Sequence, residues 1–140
     1  FGTVIAPDMD YKSNSEMYNY LMKTYKNESI DCIIGSSMGG FMGYYVAMQL
    51  NVPALLFNPA LPIRSLNQVV PAGLQAKTNQ RFSIVLGSQD ETVPAVANLL
   101  YFSENFIPTV QYSIKVRPDL AHQIPLEVFE EECGTFLRSL

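Results

Sequence analysis

The apolar residues of this chain fall into two alternating kinds of run. Short, nearly continuous runs stand at Thr3–Ala6, Ile30–Gly35, Val52–Asn58 and Arg81–Gly87, and proline, glycine or asparagine closes each one. Runs such as Ala54-Leu55-Leu56-Phe57 are apolar on both faces, which predicts parallel strands covered on both sides. A fifth run differs: Val110, Tyr112, Ile114 and Val116 alternate with polar residues. That spacing predicts a half-buried edge strand. Between the strands the spacing turns helical. Met17, Tyr20, Leu21 and Tyr25 predict a helix to about Lys26. Ser13-Asn14-Ser15-Glu16 before it reads as a capping box, with Ser13 accepting a backbone N–H and Glu16 reaching back. Further helices are predicted at Ser37–Leu50, Pro94–Phe106 and Pro125–Leu140, the last two opening on a proline suited to a first turn. Pro71 and Gly73 interrupt any long helix over 63–80, which reads as a loop with one or two short helices.

Strict alternation of strand and helix predicts a three-layer α/β/α domain on a mainly parallel sheet of five strands, with right-handed crossovers. At 140 residues a single domain over 1–140 is expected, with 61–80 as a short lid-like insert. Apolar residues make up 48% and charged residues 16%, a core-forming balance that excludes a disordered chain.

Charge narrows the partners. Nine Lys or Arg stand against thirteen Asp or Glu, a net −4 with no basic patch, which argues against nucleic acid. One histidine and two distant cysteines, Cys32 and Cys133, cannot make a metal-ligand cluster or a disulfide framework. No apolar run approaches the roughly 20 residues of a membrane span. A reduced, cytoplasmic setting is the simplest expectation.

The chemistry gathers around one segment, Ile33-Ile34-Gly35-Ser36-Ser37-Met38-Gly39-Gly40. Gly35, Ser37 and Gly39 fit G-x-S-x-G, a pattern common by chance but here set between a strand and a helix. That context makes a nucleophile elbow, whose tight turn calls for small residues at both flanks. In an open parallel sheet, functional residues collect at the carboxyl ends of strands. Asp90 follows the run ending at Gly87, and His122, the only histidine, follows the last strand. Ser37 would be the nucleophile, His122 the base that takes its proton and Asp90 the acid that orients the imidazole. The Met38 N–H would be an oxyanion donor. Each position also has a plain reading. Asp90 and Thr92 suit turns and caps, a loop histidine is commonplace, Asp119 and Glu91 are rival acids, and Ser36 adjoins Ser37. Asp8 reads as a turn residue, and the aromatic and Met residues at 41–48 as core.

The chain order Ser37, Asp90, His122 resembles the α/β-hydrolase superfamily, and more narrowly the small YqiA-like serine esterases. The matching pieces are Ile5-Ala6-Pro7-Asp8, Gly35-Ser36-Ser37-Met38-Gly39-Gly40-Phe41, Phe57-Asn58-Pro59-Ala60, Gly87-Ser88-Gln89-Asp90-Glu91 and Ala121-His122. The resemblance implies a serine esterase or thioesterase acting on a small-molecule acyl ester, without a cofactor, and it places the three roles on Ser37, Asp90 and His122. It implies little or no lid, so Ile63, Leu66, Val69, Val70 and Leu74 either line an acyl pocket or pack on the sheet. One departure stands out: the family's first strand and His-Gly loop, which carry the second oxyanion N–H, precede anything in this chain. The expectation is that the natural protein has about 20–30 more residues before Phe1, one strand–helix unit. A catalytically inactive binding or scaffold domain, and a peptidase or acyltransferase using the same residues, remain as alternatives.

Overall fold

The computed structural model describes residues 2–77 and 79–140. Phe1 and Thr78, the start of the chain and one position of the expected insert, lie outside the described residues. The elements are helix α1 (Met17–Thr24), strand β1 (Ile33–Ser36), helix α2 (Met38–Leu50), strand β2 (Ala54–Phe57), strand β3 (Arg81–Gly87), helix α3 (Ala95–Glu104), strand β4 (Gln111–Arg117) and helix α4 (Leu126–Arg138). The four strands form one fully parallel sheet in the order β1-β2-β3-β4.

The pleat explains the layers, because successive side chains on a strand point to opposite faces. Ala54 and Leu56 of β2 join Phe82, Ile84 and Leu86 of β3 in a core that also takes Phe41, Met42, Tyr44 and Ala47 of α2, Met17 and Tyr18 of α1 and Phe102 of α3. Tyr44 stacks on Phe82 with ring centroids 4.7 Å apart. Leu55, Phe57 and Val85 face the other way, into a smaller core with Leu120 and with Val128, Cys133 and Phe136 of α4. Among the described residues the result is three helices on one face, the sheet, and α4 on the other. Both cysteines are free: Cys133 is buried in that smaller core, and Cys32 lies just before β1.

Several expectations are corrected. Thr3–Ala6 forms no strand, so the sheet has four strands among the described residues and not five. A short apolar run becomes a strand only where a neighbour pairs its N–H and C=O groups. Here Val4 is 86% exposed. The capping box does not form either. Asn14, not Ser13, takes the Glu16 N–H, at 2.9 Å, and Ser13 donates its own N–H to Asp10 Oδ1 at 3.1 Å. The first helical N–H, that of Met17, is satisfied by Gln68 Oε1 from 51 residues away, at 3.2 Å. The segment 61–80 contains no helix in its described residues. Gln68 is buried there and donates to the carbonyls of Tyr11 and Asn14, which ties this segment to the start of α1. Val70 and Leu74 pack on the main core, whereas Ile63 and Val69 stand exposed. Finally, β4 is an edge strand as expected but more open than half-buried, with Ile114 and Val116 both exposed. Pro94 and Pro125 stand one residue ahead of their helices as N-caps.

Candidate active site

Four adjacent strands end in four polar residues at one edge of the sheet. Ser37 follows β1, Asn58 follows β2, Asp90 lies beyond β3 and His122 lies beyond β4. Parallel strands put all four carboxyl ends on the same side, which is why residues 85 positions apart in sequence meet.

Ser37 is held in an unusual backbone conformation, φ 52° and ψ −118°. A non-glycine residue in such a region costs of order 1–3 kcal/mol and persists only where its surroundings impose it. Here they do. The Ser37 N–H donates to the Phe57 carbonyl at 3.0 Å, and the Ser37 carbonyl accepts from Phe41 and Ala60, both at 2.9 Å. The end of β2 and the segment just after it therefore hold the turn on its N–H and its carbonyl side. A serine at a helix N-cap ordinarily turns its hydroxyl back to cap the helix. This one makes no cap hydrogen bond. Its Oγ lies instead 3.0 Å from His122 Nε2.

The other imidazole nitrogen, Nδ1, is 2.8 Å from Asp90 Oδ2. The remaining Asp90 oxygen, Oδ1, accepts the backbone N–H groups of Thr92 and Val93, each at 2.8 Å. The carboxylate is thus locked at one oxygen and aimed with the other. Its side chain is fully buried, while that of His122 is 27% exposed. Against this acceptor, Nδ1 carries the proton and Nε2 is left to accept from the serine hydroxyl. Met38 is the first residue of α2, so its N–H has no partner inside the helix and stands beside Ser37.

The rival acids lie elsewhere. Asp119 forms a fork with Arg117, at 3.1 Å from Nε and 2.9 Å from Nη2, which holds its carboxyl below the usual carboxylate range. Glu91 is exposed, as are Ser36 and Asp8. Among the described residues no three metal-ligating side chains converge. An open cavity of about 460 Å³, lined by Asp31, Pro53, Arg81 and Gln111, touches none of the three.

The glycines need a correction. Gly35 is indispensable to the turn, since an added Cβ would run into the backbone of Gly39, 2.6 Å from its carbonyl carbon. Gly39, the second glycine of the pattern, has open space around it. The close approach falls on Gly40, where a Cβ would lie 3.0 Å from Pro59 Cα. Sequence reading also assigned no task to Asn58, although a polar residue closing an apolar run was a visible signal. Asn58 is fully buried in a left-handed conformation, φ 40°.

With this geometry in hand, known proteins offer a frame. A sequence profile described as an uncharacterised protein family, UPF0227, matches residues 4–82, more than half of the chain. No curated protein matches. Solved structures share the fold at low identity. Esterase PE8 is 14% identical with a TM-score of 0.62 over 88% of this chain and 58% of its own. Arabidopsis thaliana SOBER1 is 16% identical, TM-score 0.58, over 89% and 61%. An alpha-beta serine hydrolase homologue from Coxiella burnetii is 18% identical, TM-score 0.52, over 99% and 64%. The fold is therefore that of the α/β-hydrolases, in reduced form. The chain spans about three fifths of the length of these structures.

Proposed function

The chain belongs to the uncharacterised protein family UPF0227, and we propose that it is a serine hydrolase that cleaves carboxylic esters or thioesters through an acyl-enzyme on Ser37. The observation that carries this reading is the hydrogen-bonded line Asp90–His122–Ser37, with links of 2.8 and 3.0 Å. The esterases and hydrolases among the fold neighbours are consistent with it.

A serine hydroxyl is a weak nucleophile until a base accepts its proton. As Ser37 Oγ attacks the substrate carbonyl carbon, its proton passes to His122 Nε2. Asp90 stabilises the imidazolium through Nδ1–H and keeps the ring in register. The carbonyl oxygen becomes an oxyanion beside the Met38 N–H. One such donor contributes on the order of 2.7–4 kcal/mol to the transition state. The tetrahedral intermediate collapses, the C–O or C–S bond to the leaving group breaks, and His122 returns the proton to that group. Water then attacks the acyl-enzyme with His122 again as base, releasing the acid and restoring Ser37.

A fluorophosphonate that labels activated serines tests the first half. Labelling of the wild type and none of Ser37→Ala is the expected result, and equal labelling of both excludes Ser37 as the nucleophile. The second half is read with a panel of short and long acyl esters, thioesters and amides, run beside His122→Ala. Turnover of esters or thioesters that collapses in the variant supports the proposal. Turnover that persists in His122→Ala, or that is confined to amides, refutes it.

A further inference from the structure

We infer that Asn58 is a positioning residue, whose side-chain amide clamps the loop bearing Asp90 to the loop bearing His122 and so sets the height of the imidazole over Ser37; this inference rests on the serine-hydrolase reading of the same site. Asn58 Oδ1 accepts the Gly87 N–H at 2.7 Å, at the end of β3 where the Asp90 loop begins. Asn58 Nδ2 donates to the Ala121 carbonyl at 2.9 Å and lies 3.4 Å from the His122 carbonyl. The partners leave no ambiguity about the amide's orientation, because a backbone N–H only donates and a carbonyl only accepts. Its own N–H donates to the Val85 carbonyl at 2.9 Å. One residue earlier, the Phe57 carbonyl holds Ser37. Residues 57 and 58 therefore bond the Ser37 turn, the strand end that leads to Asp90 and the loop that carries His122.

A core-filling role alone would not require this chemistry. A fully buried amide is costly unless both ends are paired, and here each end is used on a different loop. Residue type follows from the backbone too, since asparagine is among the few side chains at ease with positive φ. Such a clamp has functional weight because displacing a base by about 1 Å can cost on the order of 100-fold in rate.

The test uses two substitutions that keep the left-handed backbone. Asn58→Gly removes the amide. Asn58→Asp keeps the size and the acceptor for the Gly87 N–H but, once ionised, turns a negatively charged acceptor toward the Ala121 carbonyl where the donor had been. Gln80→Ala is the control: Gln80 is an equally buried amide that donates to the Val52 carbonyl at 2.7 Å, at the other end of the sheet. His122 is the only histidine, so in the folded protein its Nδ1–H proton gives a single assignable NMR signal whether or not the protein turns over substrate. The expected result is a shifted or exchange-broadened His122 signal in both Asn58 variants and an unchanged one in Gln80→Ala. In the hydrolase assay, kcat per folded molecule, with the folded fraction read from circular dichroism at the assay temperature, falls by about 10- to 100-fold with KM within about twofold. An unchanged His122 signal in folded Asn58→Gly overturns the clamp. So does a change of the same size in Gln80→Ala. Should the wild type neither turn over esters nor react with the fluorophosphonate, the hydrolase reading falls, while the NMR comparison still decides the clamp.

Discussion

Gly87 and Leu120 meet backbone to backbone: a side-chain carbon on Gly87 would collide with the Leu120 carbonyl, 2.8 Å from its carbon. This contact brings the loop after β3 against the loop after β4. It is reinforced by Ser88 N–H to the Arg117 carbonyl at 2.9 Å and Gln89 N–H to the Leu120 carbonyl at 3.0 Å. Gly87→Ala must push the two loops apart, and Asp90 and His122 ride on them. The expected outcome is a loss of kcat/KM of about 10-fold or more, since near-attack geometry tolerates little displacement. Steady-state kinetics beside a thermal melt checks it. A variant as active as the wild type would mean the loops are not set by this contact.

The two glycines of the elbow pattern should behave differently. Gly35→Ala puts a methyl group into the Gly39 backbone, whereas Gly39→Ala meets nothing within 4 Å. The first is expected to destabilise by at least about 2 kcal/mol, as strained substitutions in a packed site do. The second leaves stability within about 0.5 kcal/mol. Urea unfolding of both variants decides this, and equal losses would contradict the packing described.

The start of α1 depends on a side chain from far along the chain. Gln68 bonds the Met17 N–H and two carbonyls, those of Tyr11 and Asn14. Gln68→Ala leaves these groups unpaired in a largely buried setting, at an expected cost of about 1–3 kcal/mol. Amide hydrogen exchange should show the loss concentrated in the first turn of α1. A uniform change over the whole molecule would argue for a different cause.

Acid should loosen the docking of α4 on β4. Arg117 bonds Asp119, Glu131 and Glu132 at 2.7–3.1 Å. Its hydrogen bonds lower the carboxyl of Asp119 from its ordinary 3.8 and that of Glu131 from 4.5. These carboxyls are easier to protonate in the unfolded chain. Their contribution is therefore complete above the unfolded values and is lost as pH falls through the lowered, folded ones. The denaturation midpoint should stay level from neutral pH and begin to fall below about pH 4.5. Arg117→Gln should flatten that slope, and an unaltered slope in the variant would assign the acid sensitivity to other groups.

How much of this was legible in the sequence follows from the range of the interactions involved. Continuous apolar runs such as Ala54–Phe57 and Phe82–Leu86 carry their own signature, and β2 and β3 formed where that signature lies. A serine between glycines, set between strand and helix, was likewise visible as a local pattern. So was the placement of Asp90 and His122 just past strand ends, because a parallel sheet brings such ends together. Thr3–Ala6 shows the limit. It has the composition of a strand but lacks a paired neighbour, and pairing is not a local property. The start of α1 shows both ranges: Asn14, a local neighbour, took the Glu16 N–H in place of Ser13, whereas the Met17 N–H found its partner in Gln68, 51 positions away.

Sequence by itself determined four of the five expected strands, the four helices, the parallel α/β architecture and the identity of three polar residues beyond strand ends, since each rests on periodicity or on turn chemistry within a few residues. Tertiary structure alone decided which carboxylate faces His122, which glycine bears the close contact and what Asn58 does. Those outcomes depend on distances between backbone segments that converge only when the sheet is assembled.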